Sequence, residues 1–158
     1  MKSGLLTVLL ALALFAALRY LPGDWAATLE GRPRIVDGDS LVLRDRRLRL
    51  VGLDAPELAQ TCTKNGNEVP CGEMARDRLR QIVGSRAVLC ETEGRDRYSR
   101  LLATCYAGDK DIGAEIVRSG WAVADGDYAW AEAQARAESA GIWSMQFTEP
   151  SERLRLRQ

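Results

Sequence analysis

Apolar positions along the 158-residue chain fall into three kinds of pattern. Residues 5–18 are apolar on every side, with Lys2 before them and Arg19 after. From residue 34, short apolar clusters alternate with charged turns, which marks strands. Beyond residue 72, apolar residues recur every three or four positions, which marks helices with one buried face. Residues 34–36 read as a short strand running into the turn Asp37-Gly38, and residues 41–43 as a second strand. The return strand, 48–51, alternates Leu48 and Leu50 with Arg47 and Arg49, a period of two. Residues 54–57, Asp-Ala-Pro-Glu, break it. Residues 58–71 read as a loop, with Asn65-Gly66 and Pro70 as turn signals. Residues 72–83 form an amphipathic helix stopped by Gly84. Residues 87–90 and 101–106 are two strands joined as a hairpin by the polar stretch 93–99. Helices follow over 111–119 and 128–140.

This order of strands, helix, hairpin and two helices predicts an α+β domain. It is compatible with a five-stranded, partly open OB-fold barrel carrying three helices, preceded by an N-terminal hydrophobic segment. The expected organisation is a signal peptide or membrane anchor over 1–22, a linker over 23–31, the domain over 32–146 and a mobile tail over 147–158. The apolar run matches a signal-peptide core and falls short of the roughly 20 residues that span a bilayer comfortably. The expectation is therefore export: a periplasmic or extracellular protein, or one held to the cytoplasmic membrane through residues 4–21 with its domain outside.

Cysteine usage agrees with export. An even number in an oxidising compartment points to disulfides, and no C-x-x-C pair suggests zinc or redox work. Of the three possible connectivities, Cys62–Cys71 would close a loop rich in turn formers. Cys90–Cys105 would join residues equidistant from the hairpin turn. Four buried free thiols are the alternative.

Composition narrows the chemistry. The formal net charge is zero, so phosphate recognition has to come from locally clustered arginines. The chain has no histidine. That excludes a Ser-His-Asp or Cys-His nucleophile and a His-ligated zinc. What remains is carboxylates, arginines, tyrosines and a hard metal. Asp39 and Asp54 each lie at a strand end beside a turn. Two carboxylates at one barrel mouth repel unless a cation lies between them, and oxygen-only ligands select calcium or magnesium. Glu57, three residues past Asp54, is within reach of a ligand on the same metal. Arg49 offers a planar fork that matches phosphate oxygens. Singly these signals are ordinary: an Asp-Gly-Asp is a turn, and an arginine in a strand is a solvated face. Their joint order and spacing are specific.

The segments Asp37-Gly38-Asp39-Ser40, Arg49-Leu50 through Asp54-Ala55-Pro56-Glu57, and Asp96-Arg97-Tyr98-Ser99-Arg100 resemble those of the staphylococcal nuclease (thermonuclease) family. The resemblance continues through residues 111–122, 133–136 and 141–143, and so covers roughly residues 33–143. The cysteine-bearing insert resembles exported bacterial members. The resemblance implies an OB barrel and a Ca²⁺-dependent nuclease acting on DNA, RNA or both. Calcium, with Mg²⁺ as the alternative, would be held by Asp39, Asp54 and the Ala55 carbonyl, with Asp37 in the outer shell. Glu57 would position or deprotonate the attacking water. Arg49 and Arg100 would bind the phosphate, and Arg97, Tyr98 and Tyr128 would line the nucleotide site. A monomer with no protein partner is expected. The chain departs from the family pattern at Ser99, where the motif has glycine. If that position has a positive φ, serine adds strain there and misaims Arg100. The rival readings are a non-catalytic OB module that binds nucleic acid or a protein, and an envelope-associated structural protein.

Overall fold

The computed structural model describes residues 27–148. The leader and membrane segment expected over 1–22 and the tail beyond residue 148 lie outside the described residues. The main sheet is built from β1 (Thr28–Gly31), β2 (Arg34–Ile35), β3 (Ser40–Leu43), β4 (Arg46–Leu50), β8 (Val88–Arg95), β9 (Leu101–Ala107) and β10 (Lys110–Asp111). Its order is β1-β8-β9-β4-β3-β2, with β10 paired to β9. All pairings are antiparallel except β4 with β9. Side chains alternate between the two faces of this OB-like sheet. Leu41, Leu43, Leu48, Leu50, Leu101 and Ala103 point inward and are nearly inaccessible. Their neighbours Val42, Arg47, Arg49 and Leu102 point outward.

Three helices close the barrel: α1 (Cys71–Val83), α2 (Ile112–Arg118) and α3 (Ala129–Ala137). Leu79, Val83, Ile112, Ile116 and Ala131 bury their apolar faces in the same core. Asp111 caps α2, its side chain accepting from the Ala114 N–H at 3.1 Å. Two small sheets complete the fold. β5 (Leu53–Asp54) pairs with β11 (Val123–Ala124), and β6 (Cys62–Lys64) with β7 (Asn67–Val69).

The structure corrects the sequence reading in four places. Residues 28–31, expected as linker, form β1 along β8, and Ala27 exchanges two 2.8 Å hydrogen bonds with the Thr92 hydroxyl. The loop expected over 58–71 contains the β6–β7 hairpin, turned at Asn65-Gly66 with both φ values positive, as a two-residue hairpin turn of this type requires. The expected polar turn 93–99 shrinks to residues 96–99, because β8 runs on to Arg95 through a bulge between Thr92 and Gly94. Residues 147 and 148, expected in the tail, make contacts with the domain. Phe147 packs edge-on against Trp143 at 5.2 Å, and the Thr148 carbonyl accepts from Gln60.

Both expected disulfides are present and buried. Cys90 and Cys105 face each other directly in the β8–β9 register, with Cα atoms 4.1 Å apart. Cys62–Cys71 ties β6 to the first turn of α1.

Candidate active site

The turn leading into β3, the strand β4 and the loop after β5 converge on one cleft of about 320 Å³. It is lined by Asp37, Asp39, Arg47, Arg49, Ala55, Pro56, Glu57, Tyr98 and Arg100. Gly38 makes the convergence possible. A Cβ there would lie 2.7 Å from Ala55 Cβ and 3.0 Å from Ala75 Cβ, so only glycine lets the acidic turn approach both the loop after β5 and α1.

Arg49 stands opposite Ser40 on the outer face of the sheet. Its two terminal nitrogens reach different acids: Nη1 to Asp39 Oδ2 at 2.7 Å, and Nη2 to Asp54 Oδ1 at 2.6 Å. The guanidinium therefore spans the two carboxylates. Asp39 is almost fully buried. One of its oxygens accepts from the Ser40 hydroxyl at 2.8 Å and the other from the Ala55 N–H at 3.4 Å. Asp37 accepts from the Asp39 N–H at 3.2 Å and adds a second negative charge nearby. Burial pushes the Asp39 carboxyl up to about 7, with Asp37 adding to the rise and Arg49 opposing it.

Arg100 is held by three hydrogen bonds, two to Asp96 and one to Ser40. Its Nε donates to Asp96 Oδ2 at 2.7 Å, its backbone N–H to Asp96 Oδ1 at 2.9 Å, and its Nη1 to Ser40 Oγ at 3.2 Å. Burial works against the charge on Asp96, but the bonds from Arg100 and Tyr98 outweigh it and hold the carboxyl below its ordinary value. Ser99 does have a positive φ, +61°, the strained conformation considered above. The cage around Arg100 nonetheless keeps its side chain on the cleft wall. Tyr98 is largely exposed, with Arg97 4.8 Å and Arg100 5.6 Å from its ring centroid.

Glu57 is exposed at the rim. Gln60, which nothing in the sequence singled out, fixes its main chain. The Gln60 side chain accepts from the Glu57 N–H at 3.3 Å, and the Gln60 N–H donates to the Glu57 carbonyl at 2.7 Å. The Gln60 carbonyl accepts from Gly72 at 3.1 Å, which links this loop to the start of α1. A Cβ on Gly72 would fall 1.8 Å from the Glu57 carbonyl. A lone glutamine in a polar loop carries no periodic or motif signal that could have revealed it.

The structure sets Tyr128 apart from the cleft. Its hydroxyl donates to Asp111 Oδ2 at 3.0 Å, and its ring packs on the core beside Gly113. Burial and then the Asp111 charge raise its pKa. The hydroxyl is thus used to brace the cap of α2.

The donor set suits a hard divalent cation. The Asp39 and Asp54 carboxylates and the Ala55 carbonyl are all oxygen ligands, the type that calcium and magnesium take. Among the described residues no three His, Cys, Asp or Glu side chains gather as a metal-binding group. A cation here therefore needs carbonyl and water oxygens beside the two carboxylates, which calcium accepts readily.

Sequence comparison identifies the family of the chain. The staphylococcal nuclease homologue family matches residues 47–145. Asp37 and Asp39 precede that stretch, so their place in the site rests on the contacts above. The succinoglycan biosynthesis protein ExoI of Rhizobium meliloti is 36% identical over 129 residues, 77% of this chain and 68% of that protein. Protein ParB of Escherichia coli is 33% identical over 165 residues, 91% of this chain and 88% of its own length. The thermonuclease of Staphylococcus intermedius is 31% identical over 95 residues, 56% and 55% of the two chains. The chain belongs to the staphylococcal nuclease family and is, by that membership, a hydrolase of the nuclease type.

Proposed function

We propose that the cleft hydrolyses phosphodiester bonds of DNA, RNA or both, with calcium as its cation and magnesium as the alternative. The observation that carries this reading is the convergence of Asp39, Glu57, Arg49 and Arg100 on one cleft, with Asp54 joined to it through Arg49. Asp39, Asp54 and the Ala55 carbonyl would hold such a cation, which would supply Lewis acidity to the reaction.

The chain's own residues do the rest. The Glu57 carboxylate takes the proton of the attacking water as the new P–O bond forms and the ester P–O bond breaks, and the leaving oxygen takes up a proton from solvent water. Arg100, already oriented by Asp96 and Ser40, donates to the phosphoryl oxygens as their charge grows. Arg49 uses two of its five donors on the acids and turns others toward the same phosphate. Tyr98 offers an exposed ring on which any base stacks, so little sequence preference is expected. We place the protein outside the cytoplasm; the two disulfides and the apolar leader support that.

The test is cleavage of single-stranded DNA and RNA by wild type and Glu57→Gln in calcium. The variant keeps shape and removes the base, so its rate falls by about 10²–10⁴ with an unchanged melting temperature. Near-wild-type cleavage would remove Glu57 from the mechanism.

A further inference from the structure

The cleft accounts for Arg49 and Arg100 but leaves two arginines of the same sheet face without a task. Arg47 lies two residues before Arg49 on β4, so both side chains leave the outer face, about 7 Å apart along the strand. It lines the cleft beside Arg49 and is exposed. In the register, Arg47 faces Val42 of β3, and Val42 faces Arg34 of β2. Directly paired residues share a face, so Arg34 continues the row across the sheet, two strand spacings or about 10 Å further. Neither guanidinium has an ion-pair partner among the described residues, unlike Arg49, Arg76, Arg80, Arg100, Arg118 and Arg136.

We propose that Arg47 and Arg34 bind the phosphates of a single nucleic-acid strand next to the bond being cut. The inference rests on the nuclease reading and adds to it the path of the substrate. The row starts at the cleft wall and steps outward at intervals comparable to the spacing of phosphates along an extended strand. It presents two arginines without an ion pair directly beside the cleft, on a chain whose net charge is zero. Val42, half-buried between the two arginines, leaves a low apolar floor over which a strand lies flat. The occupant is a polyanion longer than one nucleotide. Arg47 and Arg34 supply affinity along its backbone and no base recognition.

The experiment is binding of a fluorescent oligothymidylate to the full chain in chelator, followed by anisotropy as salt is raised. Wild type is compared with Arg47→Ala, Arg34→Ala, the double variant and Lys64→Ala. Lys64 is exposed on the β6–β7 hairpin and removes an equal charge elsewhere. Each arginine variant is expected to lower the slope of log affinity against log salt by about 0.7, and the double variant by about 1.4, while Lys64→Ala keeps the wild-type slope. A slope loss of about 0.7 means that the single variant's disadvantage shrinks roughly 2.6-fold between about 50 and 200 mM salt. An unchanged slope in the double variant, or an equal loss in Lys64→Ala, would overturn the proposal. The readout involves no turnover. Absence of cleavage in calcium would strike the nuclease reading and leave the binding result to decide this one.

Discussion

At Asp39 burial and charge pull against each other. The carboxyl is raised to about 7 by desolvation, whereas an unfolded aspartate titrates near 3.9. Between those values the cation-free folded cleft holds a proton that the unfolded chain has released. Stability from this group therefore rises as pH falls from about 7 to about 4, and is lost as pH rises through 7. Calcium requires the ionised form. Its binding is expected to release protons below about pH 7 and to weaken as pH drops. Calorimetry in two buffers of different ionisation heat reads this directly; a heat independent of buffer below pH 7 would contradict it. Ser99 poses a backbone question. Its φ of +61° is unfavourable for serine, so Ser99→Gly is expected to leave cleavage within about twofold and to raise stability by up to about 1 kcal/mol. Asp96→Ala frees Arg100 and is expected to slow cleavage by about tenfold or more. Tyr128→Phe tests whether the hydroxyl serves the cap of α2 or the substrate. It removes one hydrogen bond to Asp111, costing about 1 kcal/mol, without changing affinity for nucleic acid. Weakened binding with normal stability would return Tyr128 to the substrate site.

At the scale of elements, legibility followed hydrophobic pattern. β3, β4, β9 and α1 were readable because Leu41, Leu48, Leu101 and Leu79 recur at strand or helix spacing. β1 was not, since Thr28–Gly31 carries one aliphatic residue and gains its order from β8. β6 and β7 were missed for a related reason. Each is three residues long and mostly polar, and the hairpin is fixed from outside by the Cys62–Cys71 bond and by the pairing of Thr63 with Gln146. The acids and arginines of the site were legible as a motif, yet their mutual geometry was not. That Arg49 spans Asp39 and Asp54, and that Gln60 grips Glu57, are facts of tertiary packing with no local signal. Because both disulfides are buried, reductant acts mainly on the unfolded chain. Melting in reductant is expected to fall by roughly 10 °C or more, at about 2–4 kcal/mol for each closed loop. Identical scans with and without reductant would show that the bonds contribute nothing.

At the scale of the whole molecule, zero net charge and a nucleic-acid substrate are reconciled by placement. Asp39 and Asp54 gather on Arg49 at the cleft, and Arg47 and Arg100 line the same cleft. The described fold begins at β1, so removing residues through 31 is expected to expose the β8 edge and destabilise the barrel. The central claim is that the acids and the arginines of this cleft act together on a phosphodiester through a hard cation. The most direct test is cleavage of single-stranded DNA by the full chain in calcium and in chelator, beside Arg49→Lys. That variant keeps the charge Asp39 and Asp54 require and loses the planar fork. The expected result is cutting in calcium, none in chelator, and a rate about 10²-fold lower in the variant at unchanged fold. Cutting that persists in chelator, or a variant that matches wild type, would contradict the account.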